Sequence, residues 1–118
     1  MKIKILCFDL DNVICTTKGR QYEKSKPKKK IIKLINNLYR NDYEIKIFTA
    51  RYMGKFKDNE KKARRFGYKK TFNQLKKWKL NFHELILGKP SYDLIIDDKA
   101  LGFSKNWMKK LKNYKIQL

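Results

Sequence analysis

The chain has 118 residues, a length that suits one compact domain and leaves no room for a second. Hydrophobic residues make up 42% and aromatics 14%, enough to fill a core at this size and to exclude a disordered chain. The net charge of +20 predicts an electropositive surface that draws anionic ligands.

That charge comes from 26 Lys against only 5 Arg, a bias that low-GC coding alone would produce, and Arg is the better bidentate reader of phosphate. Solvated Lys faces are therefore preferred to a dedicated nucleic-acid surface. No apolar run approaches the ~20 residues of a membrane span. Met1-Lys2-Ile3-Lys4-Ile5 alternates where a signal peptide would be continuously apolar, so the chain reads as soluble and cytoplasmic. Cys7 and Cys15 are too few for a disulfide framework or a metal knuckle.

In chain order, residues 3–10 form an apolar, β-prone run that reads as a buried central strand, with Asp9 and Asp11 at its C-terminal end. Pro27 is placed for the first turn of a helix running to about Asn41, with Ile31, Ile32, Leu34, Ile35, Leu38 and Tyr39 on its apolar face. Tyr43 to Thr49 is a second strand, and strand–helix–strand at this spacing predicts a parallel crossover. From Lys55 to Trp78 the pattern predicts two short helices split around Gly67, capped by Asp58 and Thr71. Glu84–Leu87 and Tyr92–Ile96 read as further strands, the latter ending in Asp97-Asp98. Ser104 is expected to cap a last helix through Leu111, and Tyr114–Leu118 to add an edge strand. The fold class is α/β.

In an open parallel sheet, ligands bind outside the carboxyl ends of the strands. Asp9, Asp11, Asp97 and Asp98 are predicted at such ends. Gathered carboxylates repel one another unless a divalent cation neutralises them, and hard oxygen donors suit Mg²⁺.

Phe8-Asp9-Leu10-Asp11-Asn12-Val13, Phe48-Thr49-Ala50-Arg51, Gly88-Lys89-Pro90 and Ile96-Asp97-Asp98 resemble, in order, the four motifs of the haloacid dehalogenase-like (HAD) superfamily. The longer string from Thr49 through Gln74–Trp78 to Asp93 is similar to small bacterial members associated with capsule or surface-sugar synthesis. The resemblance implies a three-layer, Rossmann-like sheet flanked by helices, and a Mg²⁺-dependent phosphomonoester hydrolase working through an aspartyl-phosphate. Asp9 would be the nucleophile and Asp11 the general acid and base. Thr49 and Lys89 would hold the phosphoryl oxygens and offset their charge, with Leu10, Ala50 and Arg51 binding substrate. Mg²⁺ would take the Asp9 side chain, the Asp11 backbone carbonyl and a carboxylate from Asp97, with Asp98 as the second choice. Asn12 and Val13 replace the commoner Gly and Thr.

Neither gap between the motifs has room for a cap domain, so residues 12–26 are expected to form only a loop or flap over an open site. Arg51, Lys18, Arg20 and Lys99 are candidates for gripping the leaving group. His83, the only His, reads as a structural hydrogen-bonder, and Trp78 and Trp107 as core. The expected substrate is a phosphorylated small molecule or carbohydrate, with a homo-oligomer admitted as the source of a lid. The rival readings are a phosphatase acting on nucleic-acid ends and a non-catalytic basic binding module.

Overall fold

The structure, a computed structural model, describes residues 2–116. In chain order these form β1 (Ile5–Asp9), β2 (Cys15–Thr16), β3 (Lys26–Pro27), α1 (Lys29–Arg40), β4 (Glu44–Thr49), α2 (Glu60–Lys77), β5 (Glu84–Leu87) and α3 (Trp107–Lys110). Single 3-10 turns lie at Tyr22–Lys24 and Leu111–Tyr114. The chain is a compact α/β domain in which β1, β4 and β5 make a parallel sheet in that order. Asp9 stands opposite Phe48 and Thr49 opposite Leu87, so all three strands end along one edge. Among the described residues no helix is long and apolar enough to cross a membrane.

The 3.6-residue period of α1 buries Ile31, Ile32, Ile35 and Leu38 on the sheet side. Each such side chain contributes roughly 1.5–3 kcal/mol when fully buried. Alternate residues of β4, Ile45, Ile47 and Thr49, are buried as a strand's period of two requires. His83 ties β5 in, its Nδ1 accepting from the Ile45 N–H at 3.0 Å while its ring stacks on Tyr39.

Several local expectations change. Pro27 does not open α1: it pairs with Cys15 in the two-stranded β2–β3 flap, and Lys28 N–H donates to the Ile14 carbonyl, keeping this stretch extended until Lys29. The segment expected as two helices is one continuous α2 of 18 residues. Its cap is Asn59, whose side chain accepts from Lys62 N–H at 3.1 Å, whereas Asp58 sits at φ 61°, outside the conformation of an N-cap. Thr71 is buried inside the helix. Gly67 does not break the helix because it serves packing: a Cβ there would lie 2.0 Å from Cδ2 of the Tyr52 ring.

Residues 92–96 form no strand. Leu94, Ile95 and Ile96 are 78%, 51% and 92% exposed, since an apolar run is buried as a strand only where a neighbour covers it. Among the described residues nothing pairs with β1 on its other side, so it stands at an edge of the sheet and not at its centre. At the C-terminal end, α3 begins after Asn106. Ser104 does not cap it: its carbonyl accepts from Trp107 N–H, while its hydroxyl is buried without a partner. In place of the start of the expected edge strand, Tyr114 ends a 3-10 turn; Gln117 and Leu118 lie outside the described residues.

Candidate active site

Three sequence-distant segments meet at the C-terminal edge of the sheet. Asp9 closes β1, Thr49 closes β4, and Gly88-Lys89 follows β5. Gly88 has φ 109°, and a Cβ would lie 2.6 Å from Glu60 Cγ; glycine alone lets the chain turn this closely past α2. Lys89 N–H then donates to the Thr49 carbonyl at 3.2 Å, and Lys89 Nζ reaches Asp9 Oδ2 at 3.5 Å.

Asp9 Oδ1 accepts from Leu10 N–H at 2.9 Å. Burial pushes the Asp9 carboxyl above its ordinary range, opposed by the Lys89 charge and by the Leu10 hydrogen bond. Burial works to lower the Lys89 ammonium, but its hydrogen bond to Tyr92 and the Asp9 charge outweigh it, and the net direction is upward. Lys89 Nζ also lies 5.4 Å from the centre of the Tyr92 ring. Tyr92, expected from sequence only as the first residue of a strand, is thus part of this corner.

Asp11 is committed differently. Arg51 Nε donates to its Oδ2 at 3.0 Å and Nη2 to its Oδ1 at 2.9 Å, a bidentate clamp. Thr17 Oγ1 donates to Oδ1 as well. Arg51 is 2% exposed. Its Nη1 donates to Gln74 Oε1 at 2.6 Å and its Nη2 to Ser25 Oγ at 3.3 Å, with the Tyr22 ring beneath the guanidinium at 5.1 Å. Gln74 Nε2 in turn donates to the Tyr22 carbonyl. Arg51 therefore holds Asp11 and ties it to the flap. Thr17, Ser25, Tyr22 and Gln74 escaped the sequence reading because nothing local marks a residue whose partner lies on another element.

Asn12 adopts φ 65°, a conformation Asn tolerates better than most residues, and its Oδ1 accepts from Thr17 N–H at 3.1 Å. The Asn at this position thus makes the turn into the flap. Thr49 is fully buried, its hydroxyl oxygen accepting from Arg51 N–H at 3.1 Å. Leu10 is buried and Ala50 partly so. Lys18 and Arg20 are exposed on the flap and Lys99 beyond it.

The four carboxylates are not brought together. Asp97 and Asp98 are exposed on the strandless segment, with Asp97 Oδ1 accepting from Lys99 N–H at 2.8 Å. Asp9 Oδ2 faces an ammonium and Asp11 a guanidinium. Among the described residues no group of three or more His, Cys, Asp or Glu is placed to hold a metal ion.

No family model matches the chain, and no curated protein does. Among solved structures, the crystal structure of a structural-genomics target from Vibrio cholerae is similar at a TM-score of 0.78 and 23% identity, over 97% of this chain and 100% of that one. That likeness shows a shared fold.

Proposed function

We propose that this chain is a phosphomonoester hydrolase of HAD type that works through an aspartyl-phosphate on Asp9. One observation carries the reading: a carboxylate at the end of a parallel strand, 39% exposed at its side chain, with the Lys89 ammonium 3.5 Å away. Such a pair offers a nucleophile on an open edge and a fixed cation beside the phosphoryl group it would receive. An Asp9 oxygen attacks phosphorus, the bond to the leaving alcohol breaks, and Asp11 supplies the proton that alcohol needs. Water then attacks the aspartyl-phosphate, giving its proton to Asp11 and releasing phosphate. Lys89 offsets the developing charge throughout.

A sugar phosphate of surface-polysaccharide synthesis is the proposed substrate, on the sequence resemblance. The exposure of the Asp9 side chain, 39%, is consistent with a bulky one. Mg²⁺ belongs to the proposal through the same resemblance, and no step above is routed through it.

A non-catalytic reading has one observation in its favour: both Asp11 oxygens are already taken by Arg51. Phosphate release from a panel of phosphorylated sugars separates the two. The expected result is turnover that Asp9→Asn abolishes without change in the circular dichroism spectrum, and a hydroxylamine-sensitive phosphoryl group on the wild-type protein. Turnover by Asp9→Asn near the wild-type rate overturns the mechanism, and a wild-type protein with no turnover on any substrate favours the binding module.

A further inference from the structure

The C-terminal end of α2 carries a feature that the proposed hydrolysis does not use. A groove of about 490 Å³ runs between α1 and the C-terminal end of α2, lined by Lys29, Lys33, Arg40, Lys77, Trp78 and Lys79, with no carboxylate among its lining residues. At Lys77 and Trp78 it adjoins a second hollow of about 360 Å³, which extends to Lys70, Asn73, Ser25 and Gln74. Only there does an acid enter the lining, Glu23, and it pairs with Lys70 at 3.9 Å.

The walls of this groove are fixed. Asn36 on α1 donates through Nδ2 to the Lys79 carbonyl and accepts from Asn81 N–H through Oδ1, at 3.0 and 2.8 Å, bolting α1 to the chain that leaves α2. The helix ends in a Schellman turn, Leu80 N–H to the Leu75 carbonyl and Lys79 N–H to the Lys76 carbonyl. Its left-handed position is filled by Lys79 at φ 60° where glycine is the usual residue, at a cost of about 1 kcal/mol. A cation is thereby held at the groove's rim. Trp78, expected as core, is only partly buried and forms a wall shared by both hollows.

We infer that this groove binds single-stranded nucleic acid, its phosphates lying on Lys33, Arg40, Lys77 and Lys79 and a base stacking on Trp78. The basis is charge together with shape. A row of cations without acids matches a repeating phosphate chain. A length of two joined, open hollows suits an extended polymer over a small enclosed ligand, and an indole between the cations supplies the sequence-tolerant stacking platform such sites use. A duplex presents phosphates but no free base face for the indole. The inference is independent of the proposed hydrolysis, since no groove cation touches Asp9, Asp11 or Lys89.

The test is fluorescence anisotropy of a labelled 20-mer oligodeoxythymidylate across a salt series, with intrinsic Trp emission read in parallel. Lys33→Gln/Lys77→Gln/Lys79→Gln is compared with the charge-matched control Lys105→Gln/Lys109→Gln/Lys112→Gln, whose residues are exposed and outside the groove. The groove variant is expected to lose tenfold or more in affinity, and its slope of log K against log salt to flatten by about 2 for three lost contacts to a single strand. The control should change far less. Oligonucleotide should quench Trp emission in the wild type, and Trp78→Phe should remove most of that quenching.

Equal losses in the two triple variants would reduce the effect to the overall charge and overturn the proposal. So would a duplex or a sulfated polysaccharide of matched charge binding as tightly as the single strand, or quenching that persists in Trp78→Phe.

Discussion

Asp11 and Arg51, forty residues apart in the chain, form a bidentate ion pair whose guanidinium is 1% and whose carboxylate is 19% exposed. The asymmetry sets the energetics. Arginine cannot shed its proton in a protein, so removing Asp11 strands a buried cation, while removing Arg51 leaves a carboxylate with some access to water and a hydroxyl partner in Thr17.

Asp11→Asn should therefore destabilise the fold at least as much as Arg51→Gln, each by about 3 kcal/mol. The double variant should recover part of the sum, with a coupling of about 1–3 kcal/mol. Urea unfolding of the four-member cycle measures this; additive losses would mean that the pair is not a unit.

Asp11 also bears the proton transfers in the proposed reaction, and its leaving-group dependence separates that role from structure. Asp11→Asn should cripple hydrolysis of an alkyl phosphate by about 10² to 10⁴. A p-nitrophenyl ester should lose less in its first step, because that leaving group departs without a proton, and a burst should precede slow turnover. Equal small losses on both esters, in a variant shown to be folded, would make Asp11 structural only.

The pH profile follows from the corner at Asp9. A nucleophile must be ionised, so kcat/KM should fall as pH drops through the Asp9 pKa. Burial raises that pKa, placing the acid limb above the usual aspartate value of about 4. Lys89 opposes the rise, so Lys89→Met should move the acid limb to still higher pH while lowering the plateau. A limb that stays in place, or moves down, contradicts the pairing seen at 3.5 Å.

Chelation tests the metal apart from the protein groups. EDTA should abolish turnover and Mg²⁺ restore it better than the larger Ca²⁺. Because Asp97 and Asp98 are exposed on a strandless segment here, Mg²⁺ should also slow amide hydrogen exchange across residues 91–98. Turnover indifferent to EDTA removes Mg²⁺ from the proposal.

Gly67→Ala is a stability prediction with opposed terms. Alanine improves a helix interior by about 1 kcal/mol, but its Cβ would meet two atoms of the Tyr52 ring at 2.0 and 2.3 Å. That ring is buried, at φ 67°, between edge contacts with Tyr22 and Phe66, so it has little space to retreat and overpacking of about 1–3 kcal/mol should win. A lower thermal midpoint is expected, and an unchanged or higher one would show that the Tyr52 ring can move.

Periodicity and composition by themselves determined the α/β class, the apolar face of α1, the parallel pairing of the strands ending at Asp9 and Thr49, and the turn that carries Lys89. These features are legible because each is written in neighbouring residues: a period of 3.6 or 2, a run of β-branched side chains, a glycine before a lysine and a proline. Only the tertiary structure decided the rest. Gly67 reads as a breaker until the Tyr52 ring is seen to need its missing side chain. The clamp of Arg51 on Asp11 shows only once the two elements are brought together, the wall that Trp78 adds to a basic groove while packing on the core shows only once α1 lies beside it, and residues 92–96 read as a buried strand although no neighbour among the described residues covers them. In each case the outcome depends on a partner distant in sequence, and local preferences of about 1 kcal/mol per residue yield to the packing and pairing energies that such a partner adds or withholds.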